Sequence, residues 1–199
     1  MPRSAQQLKV ALAGSGIFAR EAHAPAWLKL GERVQIVAVW SRSRAHAESL
    51  AALLPGDVRI ATDISALFND PAIDAIDIVL PIDVQPELIT RALAAGKHVV
   101  SEKPIAHNVA LGRELIGAWQ RSDRVWMVAE NWRYESAFRQ AAALVKDHAI
   151  GAPVTASWVL HAPVDPANKY YHTPWRRTSG RFPPRWRRSP YGRAAFHPG

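Results

Sequence analysis

Apolar residues in this chain fall into short continuous runs, and amphipathic stretches lie between them. The first run, Leu8 to Ala13 (LKVALA), ends at Gly14-Ser15-Gly16, after which helical spacing carries on to about Leu30. That order predicts a strand, a tight glycine turn and a helix. Val34 to Trp40 (VQIVAVW) predicts a second strand rich in β-branched residues, and Arg44 to Leu54 an Ala-rich helix that stops before Pro55-Gly56. Arg59 to Ala61 predicts a third strand, Ile64 to Asn69 a short helix, and Ala75 to Leu80 a fourth strand halted by Pro81. The helix expected over Pro86 to Ala95 is closed by Gly96. The same alternation continues through a strand at His98–Ser101, a helix at Asn108–Arg121, a strand at Val125–Ala129 and a helix near Ser136–His148. Gly151 and Pro153 then punctuate the chain, and Val154 to Leu160 (VTASWVL) predicts a further strand.

Strands alternating with helices of this length imply right-handed crossovers and a parallel sheet. The strands are nearly continuous in apolar residues, as expected where helices cover both faces. The fold class read from the pattern is therefore α/β, a doubly wound parallel sheet.

Composition narrows the chemistry. The 199 residues include no Cys, which excludes disulfides, thiol catalysis and Cys-ligated metal centres. No apolar run approaches the roughly 20 residues of a membrane span, and MPRSAQQLKV lacks a signal-peptide core, so a cytoplasmic protein without a membrane partner is expected. The eight His show no metal-ligand spacing, and no metal is expected. The net charge of +8 suggests nucleic acid at first sight, but residues 1–168 carry 17 bases and 17 acids, and the excess lies wholly in the last 31 residues. That distribution argues against nucleic acid as the partner of the folded part.

Gly14, Gly16 and Ala19 form G-x-G-x-x-A at the first strand-helix junction. The first Gly permits a tight turn, the second a close approach of backbone to a pyrophosphate, and the small third residue close packing of helix on strand. Where NAD-specific domains place an Asp or Glu for the ribose 2′-hydroxyl, this chain has Trp40-Ser41-Arg42-Ser43. Arg42 suits a 2′-phosphate, and Ser41 and Ser43 can donate hydrogen bonds to it, so NADP is favoured over NAD. The same Ser-Arg-Ser also reads as a solvated loop that opens a helix.

At Gly96-Lys97-His98-Val99-Val100-Ser101-Glu102-Lys103-Pro104 the sequence resembles the glucose-fructose oxidoreductase / inositol dehydrogenase / MocA family, whose hallmark is E-K-P at the end of the fifth strand. Gly14 to Ala19, Ala75 to Pro81 and Ala129-Glu130-Asn131-Trp132-Arg133-Tyr134 support the resemblance, which runs from residue 8 to about 177. It implies hydride transfer between a nicotinamide and an alcohol carbon of a sugar, polyol or diol. It also implies that Lys103 lies beside nicotinamide and substrate as the catalytic group, where an ammonium stabilises alkoxide charge and assists proton transfer. The same resemblance implies cofactor contacts from Gly14, Ser15, Gly16, Ile17, Phe18, Leu80, Pro81, Glu102 and Lys103, and substrate contacts from Asn131 and Arg133. After the fourth strand many members have Pro-Asn and a nearby His, whereas this chain has Leu80-Pro81-Ile82-Asp83-Val84-Gln85, a departure in the loop on the adenosine side.

Members of that family continue into a second α+β domain, and an oligomer is expected to be possible only with that domain. The expected organisation here is a dinucleotide-binding domain over 1–150, the start of a substrate domain over 151–177, and a basic tail over 178–199. The tail, SGRFPPRWRRSPYGRAAFHPG after Thr178, has no acid and no apolar periodicity, and disorder is expected for it. Reading Gly180 to Ser189 one base forward, with permitted third bases, spells G-G-F-L-L-D-G-G-V-H, a motif of the family's second domain. A frameshift or misjoined exon near Thr178–Ser179 is the expectation, and catalysis would be crippled in the chain as written. The alternative is a non-enzymatic NADP(H)-binding regulatory protein whose basic tail recruits a partner.

Overall fold

The computed structural model describes residues 7–159 together with 166, 167 and 169. Residues 178–199, and the part of the family resemblance beyond Val159 apart from 166, 167 and 169, lie outside the described residues. Contacts divide the chain into two units, Met1–Ala129 and Glu130–Gly199.

The first unit carries six parallel strands: β1 (Leu8–Ala13), β2 (Val34–Trp40), β3 (Arg59–Ala61), β4 (Ala75–Ile78), β5 (His98–Ser101) and β6 (Trp126–Val128). Their order in the sheet is β3-β2-β1-β4-β5-β6. The chain winds outward from β1 to β3, then returns to the centre and winds the other way through β4, β5 and β6. The winding reverses between β1 and β4, and open α/β sheets take ligands beyond the carboxyl ends of the strands at such a reversal.

Helices α2 (Arg44–Ala51), α3 (Ser65–Asn69), α4 (Gln85–Ala94) and α5 (Val109–Gln120) connect the strands. Two cores result, one on each face. Ala11, Ala13, Ile76 and Ile78 pack with Leu67, Leu88, Ile89 and Leu115 on one side. Leu12, Ile36 and Val39 pack with Ala19, Ala47 and Leu50 on the other. Successive residues of β1 serve opposite cores because strand side chains alternate in direction. Lys97, buried between α4 and β5, meets no acid among the described residues; its Nζ donates to the carbonyls of Asp70 (2.6 Å) and Ile73 (2.8 Å) and so ties the β4 approach to β5.

The helix expected from the glycine turn to Leu30 is present over 17–28, with a π-helical turn, Ala19–His23, leading into α1, Ala24–Leu28. Pro25 at the start of α1 has no N–H to donate to the preceding turn, so the hydrogen-bond register changes there. The strand expected over Val154–Leu160 is not formed at 154–159, which are exposed and without ladder bonds. A strand is a property of a pair, and β-propensity alone does not hold an extended segment without a partner. The second unit contains a 3₁₀ turn, Asn131–Tyr134, and α6, Ser136–Lys146. No helix among the described residues is long and apolar enough to cross a membrane.

Candidate functional site

Immediately after β1 the backbone turns at Gly14, whose φ is +128°. Its N–H donates to the carbonyl of Trp40 (2.8 Å), which joins the turn to the end of β2. A Cβ at this position would stand 2.3 Å from the carbonyl oxygen of Val79 and 3.4 Å from a methyl carbon of Leu80. Only Gly satisfies both the torsion and the approach to the β4 backbone. Gly16 differs: its φ lies outside the left-handed region, and a Cβ there meets no atom of the described residues within 4 Å. Nothing in the packing of the described residues calls for Gly at 16, which fits a ligand approaching the backbone of the turn. Ser15 is buried, and Ile17 and Phe18 are half-buried.

Arg20, which sequence reasoning passed over, straps this turn to α2. Its guanidinium donates to the carbonyls of Ser15 (3.0 Å), His46 (3.0 Å) and Ser49 (3.3 Å). Beyond β2, Ser43 is the N-cap of α2 and its hydroxyl accepts from the His46 N–H at 3.4 Å. Ser43 therefore has a structural task whatever else it does. Ser41 is half-buried, while Arg42 is exposed. Leu80 and Pro81 follow β4, beside the glycine turn, and both are half-buried.

The E-K-P segment leaves the end of β5, the other neighbour of β4. Its Lys103–Pro104 peptide is cis. The Glu102 N–H donates to Oε1 of the buried Gln85 (2.9 Å). Glu102 Oε1 lies 2.8 Å from His23 Nε2, and Glu102 Oε2 accepts from the Lys103 N–H at 3.2 Å. His23 Nδ1 meets Asp77 Oδ2 at 2.9 Å, and Asp77 also accepts from the Trp27 indole N–H at 2.7 Å. Both carboxylate oxygens of Glu102 are thus engaged by the protein itself, while Lys103 is exposed. The two carboxylates bind opposite nitrogens of one ring and so do not converge on a common point. Among the described residues no group of His, Asp and Glu could hold a metal ion.

Burial works against charge on His23, but hydrogen bonds to Asp77 and Glu102 and attraction to both carboxylates outweigh it and raise the imidazole from 6.5 to about 9. A folded-state value above the unfolded one adds stability that is full below about 6.5 and lost as pH rises through about 9. Thermal denaturation is expected to show a melting temperature falling between about pH 7 and 10, with His23→Gln removing most of that slope. An equal slope in the variant would assign it to other groups.

Asn131 and Arg133 belong to the second unit, where both are exposed on the 3₁₀ turn. Between them Trp132 packs edge-to-face with Phe138 (5.7 Å) and Trp158 (5.5 Å). Sequence reasoning missed His23, Asp77 and Gln85 as well as Arg20. The one signal was Asp77 itself, a carboxylate in the middle of the apolar AIDIVL.

A six-stranded parallel sheet in this order, with a glycine turn at its point of reversal, defines a dinucleotide-binding Rossmann domain. Residues 8–130 match the oxidoreductase family with an NAD-binding Rossmann fold, GFO_IDH_MocA, and the chain belongs to that family. It is 39% identical to the dehydrogenase FPY6 of Fusarium mangiferae over 181 residues, 85% of this chain and 51% of that protein. Among solved structures, an oxidoreductase from Thermotoga maritima is 35% identical with a TM-score of 0.78, covering 85% of this chain and 52% of that one. A 3-ketoreductase from Actinomadura kijaniata, KijD10, solved in complex with TDP-benzene and NADP, is 25% identical with a TM-score of 0.65, covering 73% and 45%. The chain spans about half the length, or less, of the curated relatives it matches.

Proposed function

We propose that this chain is the cofactor-binding part of an NADP(H)-dependent oxidoreductase acting on an alcohol carbon of a sugar, polyol or diol. One observation carries the reading: the segment behind the glycine turn and the E-K-P segment meet through the 2.8 Å contact of His23 with Glu102. That contact supports the reading that the glycine turn, which would hold the pyrophosphate, and the lysine that would act in catalysis border one crevice. Gly14, Ser15, Gly16, Ile17 and Phe18 would hold the pyrophosphate region, Leu80 and Pro81 the neighbouring wall, and Ser41, Arg42 and Ser43 the 2′-phosphate. The nicotinamide supplies the hydride acceptor or donor when bound. The Lys103 ammonium would stabilise the developing alkoxide and exchange its proton at the substrate oxygen. Asn131 and Arg133 would contact substrate.

Arg42→Ala tests the cofactor assignment. Removal of a charge-assisted contact of about 1.5–3 kcal/mol should weaken NADPH binding by roughly 10- to 100-fold and leave NADH nearly unchanged. Equal losses for both cofactors in a fluorescence titration would remove Arg42 from the site.

The proposal extends to the rest of the chain: residues 151–177 begin a substrate domain, and 178–199 are read out of frame. Sequencing genomic DNA and transcript across the codons for Arg177 to Ser189 should reveal a one-base discrepancy or splice boundary, and the alternate frame should encode G-G-F-L-L-D-G-G-V-H. Third bases that spell another sequence would make the tail native to the protein.

A further inference from the structure

Asp77 is out of place in its strand. Its neighbours Ala75, Ile76 and Ile78 are buried apolar residues, and Asp77 itself is 0% exposed. A carboxylate is buried at a cost of several kcal/mol unless it is paired and hydrogen-bonded. The partners come from one side, Trp27 of α1 and His23 of the π-helical turn. The opposite ring nitrogen of His23 faces Glu102. A neutral imidazole has one N–H and would turn a lone pair toward one of these carboxylates, so a ring with an acceptor at each nitrogen carries both protons. Among the described residues the charged groups facing His23 are Asp77 from β4 and Glu102 from the end of β5; Trp27 brings an N–H and no charge. Arg20, on His23's own turn, reaches instead to the carbonyls of Ser15, His46 and Ser49.

The cluster is a chain of contacts with a direction. It starts at a rigid central strand, passes through the segment behind the glycine turn, and ends on the Glu102 carboxylate, whose second oxygen takes the Lys103 N–H. Gln85 holds the Glu102 N–H from the α4 side. We propose that His23 and Asp77 are positioning residues: the His23 ring, braced by Asp77, holds the Glu102 carboxylate and thereby fixes the backbone at Lys103 relative to the glycine turn. The consequence for chemistry rests on the reading of Lys103 given above, whereas the clamp itself does not. Glu102 then works inward on the protein more than outward on a ligand, and Lys103 is presented from a turn whose geometry depends on one half-buried proton-bearing ring.

The test begins with the ligand-free, ¹⁵N-labelled full chain. Both His23 ring nitrogens should be protonated at pH 7.5, and the Lys103 amide resonance should titrate with the same midpoint as the ring. In His23→Gln that titration should vanish and exchange at the Lys103 amide should quicken at least tenfold, while the amides of Val10 and Leu12 in β1 keep their protection. Glu102→Gln, which keeps the side chain's shape, should uncouple Lys103 in the same way and lower the His23 midpoint. A Lys103 amide that ignores both His23 titration and the two substitutions would overturn the proposal.

A second arm adds ligands. His23→Gln should weaken NADPH binding at least fivefold and leave 2′,5′-ADP, which lacks the nicotinamide half, unchanged. Equal weakening of both would mean a general structural loss and would overturn the positioning role. If the unsubstituted chain binds no NADPH while the amide results hold, the clamp stands and the cofactor assignment fails.

Discussion

Gly14→Ala is expected to cost about 3 kcal/mol or more, to lower the melting temperature by about 6–12 °C, and to abolish measurable NADPH binding. Two independent penalties act. The φ of +128° is hostile to any residue with a Cβ, and the added carbon would stand 2.3 Å from a backbone oxygen of Val79 that cannot move without opening the β1–β4 ladder. Gly16→Ala is the informative companion, because its Cβ meets nothing among the described residues within 4 Å. That variant should melt within about 1 °C of the unsubstituted chain and yet bind NADPH at least tenfold more weakly, the methyl standing where a pyrophosphate would approach. Calorimetry and fluorescence titration of the pair separate folding from binding. Unimpaired binding in Gly16→Ala would take the pyrophosphate away from this turn.

The second large effect concerns chemistry and needs a protein in which the alternate frame is restored. There Lys103→Ala should reduce turnover by roughly 10²–10⁴-fold, with affinity for NADPH changed by less than about threefold. An ammonium that stabilises charge developing in the transition state lowers kcat and kcat/KM together when it is lost, whereas a residue that merely binds substrate raises KM. Lys103 is exposed in the first unit and its backbone N–H, not its ammonium, serves the Glu102 contact, so the substitution leaves the clamp intact. Near-normal turnover would reduce Lys103 to a surface lysine beside a strand. Full loss of NADPH affinity would make it a cofactor ligand first.

Much of the first unit was legible because its physical causes are local. The run LKVALA before Gly14, the β-branched VQIVAVW and the Pro81 and Gly96 stops each declare an element within a few residues, and all six strands of the sheet stand within about two residues of where the pattern puts them. The G-x-G-x-x-A turn was legible for the same reason, since a backbone that needs Gly says so at one position. Partnership was not legible. VTASWVL has the composition of a strand, but whether it becomes one depends on a second strand, and residues 154–159 have none.

The side chains around E-K-P show the same division more sharply. Sequence alone determined that a glycine turn between strand and helix, a basic Ser-Arg-Ser loop and a lysine after a strand exist on this chain, because each is written in consecutive residues. Only the tertiary structure decided that His23 lies between Asp77 and Glu102, residues 54 and 79 positions away, and that Glu102 spends both oxygens on its own protein. It also separated Gly14, demanded by packing, from Gly16, which packing leaves free. The physical reason is range. Torsional preference and hydrophobic periodicity act between neighbours in the chain, while the pairing of buried charges is settled by which segments the sheet order brings together, and β4 stands between β1 and β5 only after folding.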